Sequence, residues 1–445
     1  AAQLPLPTTL SPSPPPFLPP SPSSPSHPRY TMGKGGDGAA RLSRNESIEV
    51  HLYGKVLDVS AFSKSHPGGA KALRIFHQRD ATEQFEMYHS PEAHKKMRAM
   101  AKGARDAPKE DEVSQSEIGK DFAALTQKLH DIGCFDPHPV DEVVKLGITL
   151  LPGIVGFYLL HNGWPALGSF LVAFSFYMSG WTSHDYLHHA VFKGSNDKLV
   201  GWNNAMGYAL GAWQGYTVDW WRARHNTHHL VTNEHGNDPD IMTAPVLTYV
   251  RNNPKIAAAL NAAQRWQQYY YVPAMSLMDM YWRFESIQYL AARPFAKMWG
   301  SWLLLAGHYA ALFYLFRGQM AWLLFTMLCR GFLTGIVVFS THYGEDILDG
   351  GKHGMTLVEQ TALTSRNITG GYLVNVLTGY ISLQTEHHLW PMMPTGHLEK
   401  AQPFCREFFK KHNLLYRESN LYECVKYNIK ALEYESALSK ARKVE

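Results

Sequence analysis

Hydrophobic residues are gathered along this chain into four long blocks, which are separated by polar and charged segments. Residues 164–182 and 298–316 are each long enough to cross a bilayer as one helix. Residues 146–160 form a shorter block and residues 320–341 contain Arg330, but a short connection joins each of them to a neighbouring block. This pattern predicts two helical hairpins, or about four transmembrane helices. Packed helices of a soluble enzyme are the alternative, because charged and helix-breaking residues interrupt the runs.

The segment before these blocks has a different pattern. Apolar and polar residues alternate on both sides of Tyr53-Gly54-Lys55, which predicts two short strands, and helical periodicity follows from Ala70. We therefore predict a multi-domain protein with a small α+β domain over residues 46–105 and an all-α membrane domain over residues 141–430. The other predicted segments are a disordered Pro/Ser-rich N terminus (1–45), a linker (106–140) and a polar C-terminal tail (431–445).

Charge and cysteine content exclude several classes of protein. The formal net charge is +4, and no dense basic run is interleaved with aromatic residues, so no nucleic-acid partner is predicted. A mildly basic face suits an anionic lipid surface. The four cysteines lie far apart without a CxxC pair, which argues against both a disulfide framework and a zinc ribbon.

Three histidine-rich clusters, HDYLHH, HNTHH and QTEHH, lie outside the apolar blocks. Within each cluster the side-chain donors are three or four residues apart, so they share one face if the segment is helical. Neutral imidazoles that converge on one place are typical of a transition-metal site. His189 is an alternative to His188 but does not keep the spacing from His184. The candidate ligands are His184, His188, His225, His228, His229, Gln384, His387 and His388.

The two hairpins would return the chain to the cytosol before each cluster, so all three clusters are predicted on the cytosolic side. His342 directly follows the fourth block and falls on that side too, which makes it a further candidate. Eight histidines are more than one zinc ion takes, so we predict two metal ions. An imidazole-rich set suits iron with positions open for dioxygen. Nearby carboxylates are either outer partners of the imidazoles or solvated loop charges: Asp185, Asp238, Asp240, Glu345 and Asp346.

A second pair of histidines lies in the small N-terminal domain. His66 is part of SHPGG, whose proline and glycines form a tight turn that lets the backbone approach a large planar ligand. DVSAF precedes this turn, DATEQF follows it, and His89 lies downstream in YHS. Two histidines on opposite faces of a haem iron would leave no open position, which predicts electron transfer rather than oxygen binding. The alternative is that both are surface histidines.

Specific stretches resemble a known family. DVSAFSKSHPGG and DATEQFEMYHS resemble a cytochrome b5 domain, and HDYLHH, HNTHH and QTEHH resemble the three histidine boxes of membrane fatty acyl desaturases. The match covers residues 46–430. A b5 domain together with Gln384, in place of histidine, at the start of the third box is similar to front-end desaturases. These enzymes add a double bond between an existing one and the carboxyl end.

The resemblance implies a fold and a set of cofactors. The fold would be a cytochrome b5-like domain followed by an integral membrane desaturase domain with a cytosolic histidine-box di-iron cap. His66 and His89 would bind haem b, and Gln384 would bind metal either directly or through water. Two non-haem iron ions would be held by His184, His188, His225, His228, His229, His342, His387 and His388.

The resemblance also implies partners and a reaction. The substrate would be a polyunsaturated fatty acyl chain on coenzyme A or phospholipid, with O2 as oxidant and NADH-cytochrome b5 reductase as electron source. A multi-pass protein of the endoplasmic reticulum membrane is expected, with the haem domain in the cytosol. Because each reaction needs two electrons, a flexible linker would let the haem domain approach the iron site twice.

Whole-chain resemblance, through RDATEQF, WWRARHNTHH, RWQQYYYVP and STHYGEDILD, favours delta-5 enzymes of protists acting on C20 acids. Alternatives on the same scaffold are a delta-4, delta-6 or delta-8 desaturase, a hydroxylase and a sphingoid-base desaturase. Two further alternatives are a membrane-anchored haem electron carrier without desaturase activity and a non-redox zinc enzyme. The electron carrier would hold haem but no non-haem iron, and the zinc enzyme would leave the HPGG unit without a role.

Overall fold

The computed structural model describes residues 47–66, 69–89, 91–109, 112–193, 197–243, 246–249, 263–348 and 354–441. The predicted disordered segment, 1–45, lies outside the described residues.

The first described segment is a strand hairpin followed by helices. Strands β1 (Glu49–Leu52) and β2 (Lys55–Asp58) are antiparallel. Tyr53 and Gly54 between them have φ angles of 52° and 69°, the left-handed pair that suits a two-residue hairpin turn. The strand pair predicted from the alternating pattern is thus confirmed. The helices that follow are α1 (Gly69–Ile75), α2 (Thr82–Tyr88) and α3 (Pro91–Met100).

The rest of the described chain is mostly helical, with one short parallel strand pair, β3 (Asn367–Thr369) and β4 (Glu418–Asn420). The helices in chain order are α4 (Glu117–Asp131), α5 (Pro139–His161), α6 (Pro165–Leu187), α7 (Asp197–Gln214), α8 (Val218–Leu230), α9 (Gln267–Met275), α10 (Met278–Ala291), α11 (Phe295–Leu315), α12 (Met320–His342), α13 (Leu357–Thr364), α14 (Gly371–Leu377), α15 (Gln384–Leu389), α16 (Leu398–Lys411) and α17 (Leu421–Ala441).

All four apolar blocks form helices, namely α5, α6, α11 and α12. Among the described residues, α5 and α12 are long and apolar enough to cross a membrane. These are the helices of the shorter block and of the block that contains Arg330, whereas α6 and α11, which hold the two blocks of predicted spanning length, are not among them. Helix α6 contains several serines, and Ser169, Ser175 and Ser179 are completely buried.

Two glycines let the first pair of long helices approach closely. A Cβ atom on Gly156 of α5 would lie 2.7 Å from the carbonyl oxygen of Gly168, and one on Gly168 of α6 would lie 2.5 Å from the Leu160 nitrogen. Small residues at a helix contact are typical of helices that pack in a bilayer. The outer face of α5 is apolar, since Val143 and Leu151 are largely exposed. Lipid rather than water suits such a face.

Arg330 interrupts the fourth block without facing lipid. Its side chain is fully buried in the helical bundle, where the guanidinium donates to the carboxylate of Asp279 on α10 and to the hydroxyl of Tyr216. A charged residue inside a membrane helix is tolerated when it faces the bundle interior and is paired there. The arginine therefore does not argue against α12 as a membrane span.

The structure differs from the prediction for the linker, 106–140. This segment contains α4, in which Phe122 and Leu129 are buried in a core cluster with Trp390. The hydroxyl of Ser116 caps the helix by accepting a hydrogen bond from the Gly119 nitrogen at 3.2 Å. A long polar stretch before the helix obscured its apolar spacing of three and four residues. The segment is therefore packed rather than a flexible connection.

The predicted polar tail, 431–445, also differs. Residues 431–441 continue α17, and Leu432 is completely buried. Charged residues on the other faces of this helix make the average composition polar, although one face packs against the protein.

Candidate metal centres

The eight candidate histidines come together in space from four parts of the chain. His184 lies in the last turn of α6 and His188 directly follows that helix, whereas His342 ends α12. Helix α8 supplies His225, His228 and His229, and α15 supplies His387 and His388. The prediction that the three histidine clusters and His342 lie on the same side agrees with this convergence.

A first group contains five imidazoles. One ring nitrogen from each member lies within 4.8 Å of the others. The Nε2 atom of His387 is 3.0 Å from that of His184 and 3.0 Å from that of His229, and the Nε2 atoms of His188 and His225 are also 3.0 Å apart. These five histidines, His184, His188, His225, His229 and His387, are called the first histidine group below.

A second group contains His228, His342 and His388, whose ring nitrogens also lie within 4.8 Å of one another. The amide of Gln384 lies between two of them, with Nε2 2.6 Å from His342 Nε2 and 3.0 Å from His388 Nε2. Its Oε1 atom is buried without a hydrogen-bond partner among the described residues. Because the two ends of an amide have nearly the same shape, rotation about its last bond presents the oxygen to this group instead. These four residues are the second histidine group.

Outer hydrogen bonds fix the orientation of several rings. The Nδ1–H of His228 donates to Asp238 at 2.9 Å, and that of His342 donates to the Thr364 carbonyl oxygen at 2.8 Å. A ring that donates from Nδ1 turns the lone pair of Nε2 toward the group, as a metal ligand requires. In the first group, Nδ1 of His184 lies 3.2 Å from Oδ1 of Asp185, which is the corresponding outer partner.

The predicted roles of the nearby carboxylates therefore divide. Asp185 and Asp238 contact ligand candidates, and Asp240 lies 3.6 Å from His228 while pairing with Arg224. Glu345 and Asp346 pair with arginines instead: Glu345 with Arg366 and Arg417, Asp346 with Arg417. Glu345 is also buried, so it is not a solvated loop charge.

Burial keeps most of these imidazoles neutral. It lowers the pKa of His225, His229, His387 and His388 well below the usual value, helped by the neighbouring histidines. Burial would also lower the pKa of His228, but the carboxylates of Asp238 and Asp240 outweigh it and raise that pKa. Neutral rings whose Nε2 atoms converge at about hydrogen-bond distance can share protons or hold a cation between them. The donors present therefore fit transition-metal ions, with iron suited to an imidazole-rich set.

His189 lies outside both groups. Its Nε2 atom is 3.1 Å from Asn204 Oδ1, and its φ of 57° turns the residue away from the end of α6. Of the two adjacent histidines, the structure brings His188 to the first histidine group.

The other predicted pair, His66 and His89, faces each other in the small N-terminal domain. The ring centroids are 6.0 Å apart. Nδ1 of His89 lies 3.0 Å from the Phe85 carbonyl oxygen and Nδ1 of His66 lies 3.3 Å from that of Gly69, so each Nε2 carries a lone pair. Burial lowers the pKa of His89 to about 4. The two facing rings would together hold the iron of a haem, which would serve electron transfer.

A cavity of about 60 Å³ lies against the histidine groups. His184, His225, His342 and Gln384 line one part of it, and Trp181 and Tyr216 line another. Apolar and aromatic walls beside metal-binding groups are typical of a site for an apolar substrate.

Comparison with known proteins identifies the family. Residues 161–420 match the family described as fatty acid desaturase. The chain belongs to this family. Residues 39–106 match the cytochrome b5-like heme/steroid binding domain. The desaturase is thus an oxidoreductase with a haem-binding cytochrome b5 domain and a di-iron centre, and its family is membrane-bound.

Several curated relatives match over most of their length. The "Acyl-lipid 8-desaturase" of Rebecca salina is 56% identical, over 92% of this chain and 100% of that protein. The "Delta(8)-fatty-acid desaturase" of Euglena gracilis is 31% identical over 85% of this chain and 92% of that protein. Human "Fatty acid desaturase 3" is 29% identical over 81% and 84%, respectively. The chain is therefore a cytochrome b5 fusion front-end desaturase, and the expected preference for carbon 5 finds no support.

Proposed function

We propose that this desaturase introduces a cis double bond at carbon 8 of a C20 polyunsaturated acyl chain bound to a membrane lipid. The observation that carries this proposal is the 56% identity to the acyl-lipid 8-desaturase, which extends over the whole of that protein. The second relative, at 31% identity, also carries a delta-8 name. Acyl-coenzyme A is the alternative carrier of the chain.

The metal ligands are part of the same proposal. We assign His66 and His89 to the haem iron, and we assign one non-haem iron ion to each histidine group. The Nε2 contacts of 3.0 Å in the first histidine group and the position of Gln384 in the second support this division. Gln384 would complete the second set with an amide oxygen, because that set has fewer histidines.

When bound, the iron ions supply the activation of dioxygen that lets an unactivated methylene lose hydrogen. In the balanced reaction, the acyl chain loses two hydrogens, and O2 takes up these, two electrons and two protons to give two water molecules. The chain's own residues hold the ligand rings in one orientation through Asp185, Asp238 and the Thr364 carbonyl. The apolar wall of the cavity excludes water and positions the acyl chain.

We further propose the endoplasmic reticulum membrane as the location, with both metal centres on the cytosolic side. Helices α6 and α12 both end in candidate ligands, His184 and His342, so the centre lies at one end of the helical bundle. Electrons would enter from NADH-cytochrome b5 reductase through the haem.

The test is expression in a yeast fed separately with C18, C20 and C22 polyunsaturated acids. New double-bond positions are read by gas chromatography and mass spectrometry of the lipid and coenzyme A fractions. We expect a C20 product newly unsaturated at carbon 8, first in the lipid fraction, and none from His387→Ala. A new bond at carbon 5 would overturn the position, and first appearance in the coenzyme A fraction would overturn the carrier.

A further inference from the structure

The cytochrome b5 domain is docked on the desaturase domain close to the histidine groups. Both terminal nitrogens of Arg79 donate to the carboxylate of Glu234, each at 3.1 Å, and Glu234 is completely buried. Val231, just after α8, packs into the core of the b5 domain with Ile75 and Phe76. A buried bidentate ion pair and shared apolar packing hold the two domains in one arrangement. The haem domain therefore does not need the repeated approach to the iron site on a flexible linker that was expected from the sequence.

One face of α2 makes a large part of this docking. The Glu83 carboxylate accepts a hydrogen bond from the Leu357 nitrogen at 2.6 Å, at the start of α13. Met87, four residues later, packs against the core cluster of the desaturase domain. Residues four apart share one side of a helix, so α2 lies with this side against the desaturase domain. Tyr88 follows at the end of the helix and directly precedes His89.

Tyr88 reaches the first histidine group from the cytochrome b5 domain. Its ring centroid lies 6.3 Å from that of His188, at an interplanar angle of 34°, and 6.5 Å from that of His229, at 83°. Both histidines belong to the first histidine group. One side chain therefore contacts two candidate iron ligands while its backbone is bonded to a candidate haem ligand.

Unpartnered polar atoms surround the same contact. Among the described residues, the hydroxyl of Tyr88, Nδ1 of His188 and Nδ1 of His229 are all buried without a hydrogen-bond partner. Buried polar groups in proteins usually have a partner, and an exception calls for a local explanation. The domain contact at Tyr88 thus includes buried polar atoms.

We propose that the ring of Tyr88 is the electron bridge from the haem to the first histidine group. The proposal rests on the haem and iron ligands assigned under the proposed function. With haem and iron bound, each transfer would move one electron from the haem held by His66 and His89 to the iron held by the ligand set that includes His188 and His229, and Tyr88 would be unchanged in the net step. Two transfers, supplied by cytochrome b5 reductase, provide the two electrons that one desaturation consumes. Tyr88 is a positioning residue for this transfer.

The experiment follows the haem itself in the purified, full-length holoenzyme. The haem is reduced, then mixed with O2 in the presence of the acyl substrate, and its reoxidation is followed by visible absorption. We expect Tyr88→Leu to slow reoxidation by about tenfold or more, the scale of a lost positioning contact at a reactive centre. Tyr88→Phe keeps the ring and should stay within about threefold of the wild-type rate.

The matched control is Phe62→Leu. Phe62 packs edge-on against His66, with centroids 5.5 Å apart, and is 40% exposed, so it is an aromatic neighbour of the other haem ligand. We expect wild-type reoxidation from this variant. The haem spectrum, the midpoint potential and the rate of reduction by the reductase should be the same in all variants. Hydrogen exchange of α2 reports whether the domains stay docked.

The outcomes are distinct. Slow reoxidation in Tyr88→Leu alone, with unchanged potential and unchanged exchange in α2, supports the bridge. Equal slowing in Phe62→Leu, a shifted potential or faster exchange in α2 would show a structural role and overturn it, as would a wild-type rate in Tyr88→Leu. Reoxidation that survives in His387→Ala would instead refute the iron assignment. A wrong double-bond position would change the product but not the ratio between variants.

Discussion

The two histidine groups differ in how their rings are held. In the second group each histidine has an outer partner for Nδ1: Asp238 for His228, the Thr364 carbonyl for His342, and the Thr232 hydroxyl for His388. In the first group His184 has Asp185, but Nδ1 of His188 and of His229 has no partner among the described residues. The second group is therefore oriented by the desaturase domain alone.

This difference indicates which part of the molecule constrains the imidazole rings of each group. The second group has only three histidines. Each of these rings is held by an outer hydrogen bond, and Gln384 adds a fourth side chain to the set. The first group has five histidines but leaves two rings less constrained, and these two rings face Tyr88 of the cytochrome b5 domain. Because outer partners tune ligand orientation and basicity, the first group is the one that domain docking can influence.

The largest expected effect comes from removing one ligand from each group. His188→Ala and His388→Ala should each abolish desaturation, since both ions are needed, but each should leave the other group's iron in place. We expect the ratio of non-haem iron to haem to fall by about half in either variant, because each group is assigned one ion. Metal analysis together with haem absorption measures this ratio.

A variant that loses all non-haem iron would contradict the division into two independent groups. The haem ligands provide the control: His89→Ala should remove haem and keep the non-haem iron. If removing His388 also removes haem, the variant has unfolded and the comparison is made with His342→Ala instead.

Sequence patterns predicted much of this centre but not its division. The spacing within HDYLHH, HNTHH and QTEHH places donors on shared helix faces, and these faces do meet. Adjacent residues nevertheless enter different groups, as His228 and His229 do, because neighbours on a helix point about 100° apart. Only the packing of α8 against α15 decides which ring faces which group. Spacing along one helix carries no information about that packing.

Prediction of the fold from the sequence was limited in the same way. Apolar blocks predicted α5, α6, α11 and α12, since long helices leave a strong signal in composition. Helix α4 was missed because a long polar stretch precedes it, and its buried face is stabilised by Trp390 from a distant part of the chain. The role of Tyr88 was also missed: a tyrosine beside a haem ligand has no distinguishing pattern, and its contact depends on how the domains dock.

The next effect concerns the outer partner of His228. Asp238→Asn should weaken iron binding by the second histidine group by about 10- to 100-fold, because the ring loses the carboxylate that fixes its tautomer. Iron titration of the metal-free protein measures the change. Asp240→Asn is the matched control, since Asp240 is 3.6 Å from the same ring and pairs with Arg224. Equal weakening in both variants would mean that charge near His228 matters rather than the hydrogen bond.

A smaller effect is expected at Gln384. Gln384→Asn shortens the side chain by one methylene, so the amide no longer reaches His342 and His388 together. We expect iron binding by the second group to weaken about fivefold or more, because the set loses its amide oxygen; about 1 kcal/mol, the value of one neutral hydrogen bond, is the lower limit. Gln384→Glu, of matched length, separates direct from water-mediated contact. A carboxylate bound directly would tighten iron binding, and an unchanged affinity would indicate an intervening water.

The smallest effect is expected at His189, which is adjacent to a ligand in sequence but not in space. His189→Ala removes only a contact of 3.1 Å to Asn204, so the iron-to-haem ratio and the product yield should match the wild type. The substitution His188→Ala removes a candidate ligand. Comparing it with His189→Ala therefore shows whether the position of the histidine in space, rather than the loss of a histidine, decides iron binding. The free energy of unfolding, measured by thermal denaturation, should change by no more than about 1 kcal/mol, the value of one neutral hydrogen bond. A loss of iron from His189→Ala would mean that the end of α6 turns differently when metal is bound, and the first histidine group would need a new member.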